Sequence, residues 1–420
     1  MRYRSVVAAA KAMLLLFARS KKQFLHVLLA AVIGGLGGVI CAAFLGSLNW
    51  ATSTRIGHEW IIYLLPVAGL CVGFAYYKLG DPIAGGTGLV LDAVHVPGAQ
   101  VPTRMAPMIY GGSVLGHLAG ASVGREGAVV QMIASLSDGA ARSLKANDEL
   151  RRVILVIAVA AGFGGLFGVP IAGALFGIEV QRKSRIHFAS LVPALVASVI
   201  AFFVAEACGA HHFATPNLGN IHLGWAVMWR CVVGALFFAA VGVGFIQLEH
   251  RIKFAMAKVV KYPPIRPAIG GVFILLLTAA AGTREYLGIS TSLAEVALTG
   301  AVGVAAIAFI WKFVFTAVSL GTGFVGGEVL PLFIIGSLAG AQFARVTDGP
   351  IALYAVLGLI GVFTAAANTP LTCIVIGIEL FGWNGFVPYV IVCVIAYFAS
   401  GEHTVFAHSP IMKRHLKTPH

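Results

Sequence analysis

The chain has 420 residues, of which 59% are hydrophobic and 11% are charged, with a mean hydropathy of +0.92. Soluble domains carry about 25% charged residues, so this composition excludes a sizeable water-soluble domain and indicates an integral membrane protein. The net charge of +13 lies in short clusters beside apolar runs, as in cytoplasmic loops; none is long enough to predict a nucleic-acid-binding surface.

The N-terminal segment, residues 1–23, is basic and then apolar, which predicts a cytoplasmic interfacial segment. Arg19 directly follows the apolar stretch, and no clear small-residue cleavage site is present, so a secretory signal peptide is the poorer interpretation. Residues 411–420 form a second basic tail. We therefore predict a multi-pass protein of the cell (inner) membrane with both termini in the cytoplasm.

Between these tails, apolar segments of two kinds alternate. Nine are clear apolar spans that predict membrane-embedded helices: 24–44, 61–77, 154–167, 191–204, 226–245, 267–281, 301–320, 351–367 and 387–398. Six are shorter and interrupted by glycine or proline: 85–96, 107–119, 127–144, 170–180, 331–345 and 370–381. Broken helices of this kind are tolerated only where protein buries them or where they line a cavity.

An internal repeat divides the chain. The segment GVPIAGALFGIEV recurs 200 residues later within ANTPLTCIVIGIEL, and SVGREGAVVQMIASL aligns with FVGGEVLPLFIIGSL at an offset of 202. The second alignment places Glu126 opposite Glu328. Two matches at nearly one offset predict two homologous membrane repeats, 24–210 and 225–410, and paired broken segments predict a transport site where the repeats meet.

Three glycines in the segment GGTG, residues 85–88, free the backbone at the start of a predicted helix. A helix N-terminus has unpaired N–H groups and a partial positive charge, so it attracts anions. Thr87 adds a hydroxyl donor, and we predict that Thr87 and Gly88 bind an anion. A simple helix-breaking turn is the alternative for this segment.

Two charges interrupt an apolar stretch in the segment GREGA. An ionisable residue inside a membrane segment is costly and indicates function. We predict that the Glu126 carboxylate occupies an anion site at a helix N-terminus when deprotonated and leaves it when protonated, with Gly127 among the anion-binding residues. The alternative is a structural ion pair with Arg125.

The segment GGEVLP is the counterpart in the second half. Pro331 suits the first turn of a helix because its missing N–H is not needed there, so the N–H groups of Val329 and Leu330 are predicted to face the anion. Glu328 is either a second proton site or an organiser of the local backbone.

The remaining polar positions indicate architecture. Glu179 and Glu379 end equivalent helices, which suggests helix capping or hydrogen bonds at a dimer interface, and Asn368 is predicted to be a helix cap. The histidines lack the i,i+4 spacing of metal ligands, so neither a metal site nor a cofactor is predicted. The membrane segments also lack paired catalytic residues, so an enzyme is not predicted.

Together, the paired halves, GGTG, GREG, GGEVLP and the segment after Gly401 resemble the CLC family of anion channels and anion/proton antiporters. The resemblance covers almost the whole chain. It implies an all-α integral membrane fold with two inverted homologous halves and many tilted, partly broken helices. It also implies a homodimer in which each subunit has its own anion pathway.

Four departures from the chloride-type pattern are similar to the fluoride-exporting branch of this family. Thr87 stands in place of a serine, Ala128 in place of a proline, Glu328 in place of an apolar residue, and Val180 in place of an inner glutamate. The resemblance therefore implies a fluoride/proton antiporter with Glu126 as its proton-carrying gate. A chloride transporter or a passive chloride channel of the same fold is the alternative.

A fifth departure concerns the central anion site. Where the family usually has a tyrosine whose hydroxyl reaches the anion, this chain has Phe406, or Val405 if the preceding turn is one residue shorter. Neither side chain has a hydroxyl, and only the weakly positive edge of the Phe406 ring can contact an anion. The resemblance therefore places Phe406 at the site with one donor fewer than usual.

Overall fold

A computed structural model describes residues 21–80, 86–96, 98–180, 190–210, 218–219, 221, 223–300 and 307–406. Within these ranges the chain forms sixteen α-helices, two short 3-10 helices and no strand beyond one isolated backbone bridge. Within a helix, all backbone groups except those at the two ends hydrogen-bond locally, as a chain in lipid requires. The predicted terminal segments lie largely outside the described residues.

Eight α-helices precede residue 211. They are α1 (Lys21–Gly57), α2 (Leu65–Leu79), α3 (Gly86–His95), α4 (Met105–Ala119), α5 (Glu126–Ser143), α6 (Asp148–Phe167), α7 (Pro170–Glu179) and α8 (Leu191–Ala207). A 3-10 turn, Glu59–Leu64, joins α1 to α2.

Another eight α-helices follow residue 224. They are α9 (Trp225–Val259), α10 (Ile265–Ala281), α11 (Thr291–Leu298), α12 (Ala308–Thr322), α13 (Val329–Val346), α14 (Ile351–Ala367), α15 (Pro370–Phe381) and α16 (Phe386–Ser400). A second 3-10 turn, Trp383–Gly385, leads into α16. The equal helix numbers agree with two repeats, but the division into 24–210 and 225–410 stays a prediction.

Every predicted apolar segment coincides with a helix, although residues 301–306 of one segment lie outside the described part. Two differences stand out. Helix α11 was not predicted, because eight residues with Thr, Ser and Glu among them give no apolar run. Helices α1 and α9 continue to Gly57 and Val259, well past the predicted ends at 44 and 245, because their more polar extensions are also helical.

Six helical stretches in the described part of the chain are long and apolar enough to cross a bilayer. They are Gln23–Gly57, Glu59–Leu79, Asp148–Phe167, Trp225–Val259, Val329–Val346 and Trp383–Ser400. Several other helices are apolar but shorter, as expected for helices that are broken or buried inside the protein.

The centre of the protein is built on α6 and α14. All residues from 154 to 167 and from 353 to 367 are buried, and a helix that is apolar on every side belongs in a protein interior. Helix α6 packs against α5, and α14 packs closely against α13. The two buried helices therefore hold α5 and α13 in place from behind.

Candidate functional site

The N-termini of α5 and α13 meet near the centre of the chain's fold. The Gly124 N–H donates to the Gly327 carbonyl at 2.7 Å, and the Gly327 N–H donates back to the Gly124 carbonyl at 2.8 Å. A Cβ on Gly327 would lie 2.7 Å from the Gly127 nitrogen, so this approach requires glycine. Two helix N-termini with partial positive charge therefore share one small volume.

Glu126 lies between these two N-termini and is 1% exposed. Its Oε2 accepts the Leu330 N–H at 3.1 Å and the Arg125 N–H at 3.1 Å. Its Oε1 lies 3.6 Å from Arg125 Nε. The carboxylate thus occupies a position at the start of α13 where an anion is favoured, and it also makes the ion-pair contact with Arg125.

A cavity of about 350 Å³ lies on one side of this junction. We call it the basic-side cavity, because His250, Lys253 and Arg266 line it. Six residues predicted from the sequence line it as well: Thr87, Gly88, Gly127, Glu328, Val329 and Phe406. The fold thereby brings together residues that are spread over more than three hundred positions of the chain.

Thr87 lies against the N-terminus of α5. Its Oγ1 accepts a hydrogen bond from Gln131 Nε2 at 2.9 Å, and a Cβ on Gly127 would lie 3.3 Å from that oxygen. Sequence reasoning missed Gln131; the available signal was a polar residue one turn after Gly127 on a helix with apolar neighbours. Gly85 lies outside the described residues.

Glu328 precedes the first residue of α13, and its side chain does not cap that helix. It lines the basic-side cavity together with Glu249 and Lys253, and the three groups interact electrostatically. Sequence reasoning missed Glu249, whose signal was an acid within a membrane helix. Glu328 therefore lines the cavity beside two charged side chains, and its role as a proton site or as a backbone organiser stays a prediction.

A second cavity of about 750 Å³ opens at the C-terminal ends of α1 and α10. We call it the far cavity. Arg125 lines it, whereas Gly127 lines the basic-side cavity. Glu126, the residue between them, therefore lies between the two cavities.

The C-terminal end of the described chain closes the basic-side cavity, which both Val405 and Phe406 line. The Phe406 ring packs edge-on against Phe176, with 5.8 Å between ring centroids. The Val405 N–H donates to the Ala366 carbonyl at 2.9 Å. Neither side chain offers a hydroxyl, as the sequence requires.

Glu179 and Glu379 cap each other's helices. Glu179, at the end of α7, accepts the N–H groups of Leu371 at 2.9 Å and Thr372 at 2.7 Å. Glu379, near the end of α15, accepts two N–H groups in the first turn of α7 at 2.9 and 2.8 Å. Carboxylates are stabilising at helix N-termini. Of the two predicted alternatives, both residues therefore fit helix capping, and each caps a helix of its own chain.

Asn368 lies at a helix end, the position of a cap residue. It is the C-cap of α14 in the left-handed conformation, with φ 58°. Its side chain donates to the His403 carbonyl and so ties the C-terminal segment to α14. The residue that precedes α15 is Thr369, whose side chain makes no cap hydrogen bond.

The fold and the site together define a class. Broken helices, paired N-termini and a buried carboxylate between two cavities describe an anion-transport protein of the membrane.

No group of three or more His, Cys, Asp or Glu that would suit a metal ion occurs among the described residues.

The sequence also matches a known family over most of its length. Residues 68–401 match the voltage gated chloride channel family. A chloride/fluoride channel protein of Pseudomonas syringae pv. tomato is 40% identical over 387 residues, which cover 91% of this chain and 85% of that protein. The H(+)/Cl(−) exchange transporter ClcA of Salmonella arizonae is 26% identical, over 91% of this chain and 88% of that protein. The chain belongs to the voltage gated chloride channel family, the CLC anion transporters.

Solved structures agree with this assignment. A CLC-type fluoride/proton antiporter superposes with a TM-score of 0.87 at 32% identity, covering 91% of this chain and 97% of that one. A slow cyanobacterial Cl−/H+ antiporter shares the fold, with a TM-score of 0.76 at 19% identity over 93% of this chain and 98% of that one. The predicted all-α CLC-type membrane fold is confirmed.

Proposed function

We propose that this protein is a fluoride/proton antiporter that exports fluoride and that Glu126 is its proton-carrying gate. The observation that carries the proposal is the hydrogen bond from the Leu330 N–H to Glu126 Oε2 at 3.1 Å. A solved relative at 32% identity is a CLC-type fluoride/proton antiporter, and the relative at 40% identity is a chloride/fluoride channel protein. Both support fluoride as a transported ion, and the first supports its exchange for protons.

The exchange works by competition for one site. A deprotonated Glu126 carboxylate takes the Leu330 N–H and blocks passage between the two cavities. A protonated carboxyl carries no charge and is a poorer ligand for the helix N-terminus, so it leaves and an anion takes its place. Each return of the carboxylate then expels an anion, and the proton moves the opposite way.

Fluoride is small and strongly hydrated, so its route must offer several donors in place of water. The groups we assign to this task are the Thr87 hydroxyl and the backbone of Gly88, Gly127, Val329 and Leu330. Phe406 contributes only its ring edge. Those donors also suit chloride, so fluoride selectivity has to be decided by measurement.

Glu328 is assigned to proton transfer on the basic side. By the family resemblance, Val180 stands in place of the inner glutamate of the chloride-type pattern. Glu328 and Glu249 line the cavity that leads from Glu126 toward Lys253, and their carboxyl groups supply titratable positions there. We infer that protons reach Glu126 through this cavity.

The proposed setting is the cell membrane, with both termini in the cytoplasm and the protein acting as a transporter rather than an enzyme. The basic-side cavity then faces the cytoplasm, where Lys and Arg accumulate under the positive-inside rule. A homodimer with one pathway in each subunit completes the proposal.

Liposomes containing the purified protein test the main proposal. They are loaded with fluoride or chloride, and anion efflux and proton uptake are followed with ion-selective and pH electrodes. We expect fluoride efflux to drive proton uptake and chloride efflux to be much slower. Chloride moving as fast as fluoride would favour the alternative, a chloride transporter, and anion efflux without proton movement would favour a passive channel.

The variant Glu126→Gln tests the gate. An amide cannot release a proton in this range, so proton uptake coupled to fluoride efflux should disappear. Glu59→Gln is the matched control, because the Glu59 side chain is 77% exposed at the rim of the far cavity. Persisting proton coupling in Glu126→Gln would show that another residue carries the proton.

A further inference from the structure

The far cavity is lined by two buried guanidinium groups. Arg55, in the last turn of α1, and Arg125 are each 7% exposed, and both line this cavity. Arginine stays protonated in proteins, so two permanent positive charges border one space. Of the two, Arg125 has a carboxylate beside it, that of Glu126.

The hydrogen bonding of these two side chains is incomplete. Within the described residues, the Nε groups of Arg55 and Arg125 are buried without a hydrogen-bond partner, and Arg55 makes no ion pair with a described carboxylate. Nearby Glu59 is exposed and is paired with Arg284 at 2.8 Å. Buried polar groups are almost always satisfied, and an unpaired buried charge is costly, so Arg55 lacks an anionic partner that such a group requires.

The fold fixes Arg55 in this position. Gly288 has φ 67°, and a Cβ there would lie 2.9 Å from Arg55 Nη2, so the loop makes room for the guanidinium. Buried Lys312 holds that loop, because its Nζ donates to the Gly288 carbonyl at 2.7 Å and to Ser290 Oγ at 2.9 Å. A cationic end of α1 is also favoured by the helix dipole.

We propose that the far cavity contains a second anion site, in which the guanidinium groups of Arg55 and Arg125 bind a halide on the far side of Glu126. Both side chains line a water-accessible space, so the bound ion keeps part of its hydration shell. The expectation that this site is filled as fluoride leaves past Glu126 rests on the proposed function. The binding itself needs only a small monovalent anion.

Calorimetric titration of sodium fluoride and sodium chloride into the purified full-length protein at constant ionic strength tests this site. Arg55→Met keeps an unbranched apolar stem and removes the charge and the N–H donors. We expect it to weaken halide binding at one site by about tenfold or more, as for loss of a hydrogen bond to an ion. Arg284 lines the same cavity, but its side chain is exposed and already ion-paired. The variant Arg284→Met should therefore bind halide as the unsubstituted protein does.

An Arg55→Met isotherm identical to that of the unsubstituted protein would overturn the proposal. If Arg55→Met does not yield a folded protein, crystals of the unsubstituted protein soaked in bromide provide the second measurement. An anomalous peak within hydrogen-bond distance of Arg55 supports the site, and no peak there at saturating bromide overturns it. Transport of chloride instead of fluoride would refute the proposed function while leaving halide binding at Arg55 intact.

Discussion

The Thr87 hydroxyl shows how one residue depends on its neighbour. Its oxygen accepts the Gln131 amide at 2.9 Å, and a hydroxyl has a single proton to donate. With Gln131 supplying a donor to the oxygen, the Thr87 proton is left to point into the basic-side cavity. Gln131 thereby orients Thr87 as a donor toward an anion.

Replacing Thr87 with valine keeps the shape of the side chain and removes this donor. Hydrogen bonds to charged groups are worth about 1.5–3 kcal/mol, so we expect the apparent KM for fluoride in liposome efflux to rise roughly tenfold or more. Thr87→Ser retains the hydroxyl and should stay within a few-fold of the original. Equal KM values for the two variants would remove Thr87 from the ion pathway.

At the scale of elements, the position of α13 depends on its contact with α14. A Cβ on Gly340 would lie 1.9 Å from the Tyr354 carbonyl oxygen, and one on Gly336 would lie 2.3 Å from the Gly358 carbonyl oxygen. The two backbones therefore touch along two turns, as small residues allow in membrane helix pairs. Because α13 presents the Leu330 N–H to Glu126, this contact also sets the geometry of the gate.

The variant Gly340→Ala should push the two helices apart. Overpacking costs about 1–3 kcal/mol, and the obstacle here is backbone, so we expect a lower thermal midpoint in detergent and slower fluoride efflux. Gly46→Ala is the control, since nothing lies within 4 Å of a Cβ at that position of α1. A Gly340→Ala protein as stable and active as Gly46→Ala would contradict the close contact.

At the scale of the whole molecule, helix direction assigns the two faces. Helix α1 starts beside basic residues and ends at the far cavity, and α9 runs the opposite way, ending at Lys258 and Val259. Helix α8 follows the basic cluster at 182–185 and ends at Ala207. The positive-inside rule then places the far cavity outside the cell.

Thiol labelling of intact cells tests this orientation. Cys208, just after α8, is exposed, so a membrane-impermeant maleimide should label it from outside, and Cys208→Ser should remove that labelling. In the Cys208→Ser background, Lys258→Cys should react only after the membrane is permeabilised. Cys71 is also exposed but lies in mid-helix of α2, where the bilayer keeps a membrane-impermeant reagent away. Labelling of Lys258→Cys in intact cells would reverse the assignment.

The sequence by itself determined the helices, the family resemblance and most residues of the candidate site. Apolar segments in a membrane must satisfy their backbone locally, so hydropathy and glycine or proline breaks locate helices directly. Short-range motifs likewise marked Thr87, Glu126 and Glu328, and the family resemblance marked Phe406. Helix α11 was not predicted, because a short, partly polar helix has no such pattern.

Only the tertiary structure decided which of these groups meet. The Leu330 N–H bonds to Glu126 across 204 positions of sequence, and Arg55 joins Arg125 at the far cavity. Glu249 and Gln131 were likewise identified as part of the site only by their neighbours on other helices. Such contacts depend on how whole helices pack, and packing is a property of surfaces far apart in the chain. The local pattern therefore located the charges, and the fold determined what each charge faces.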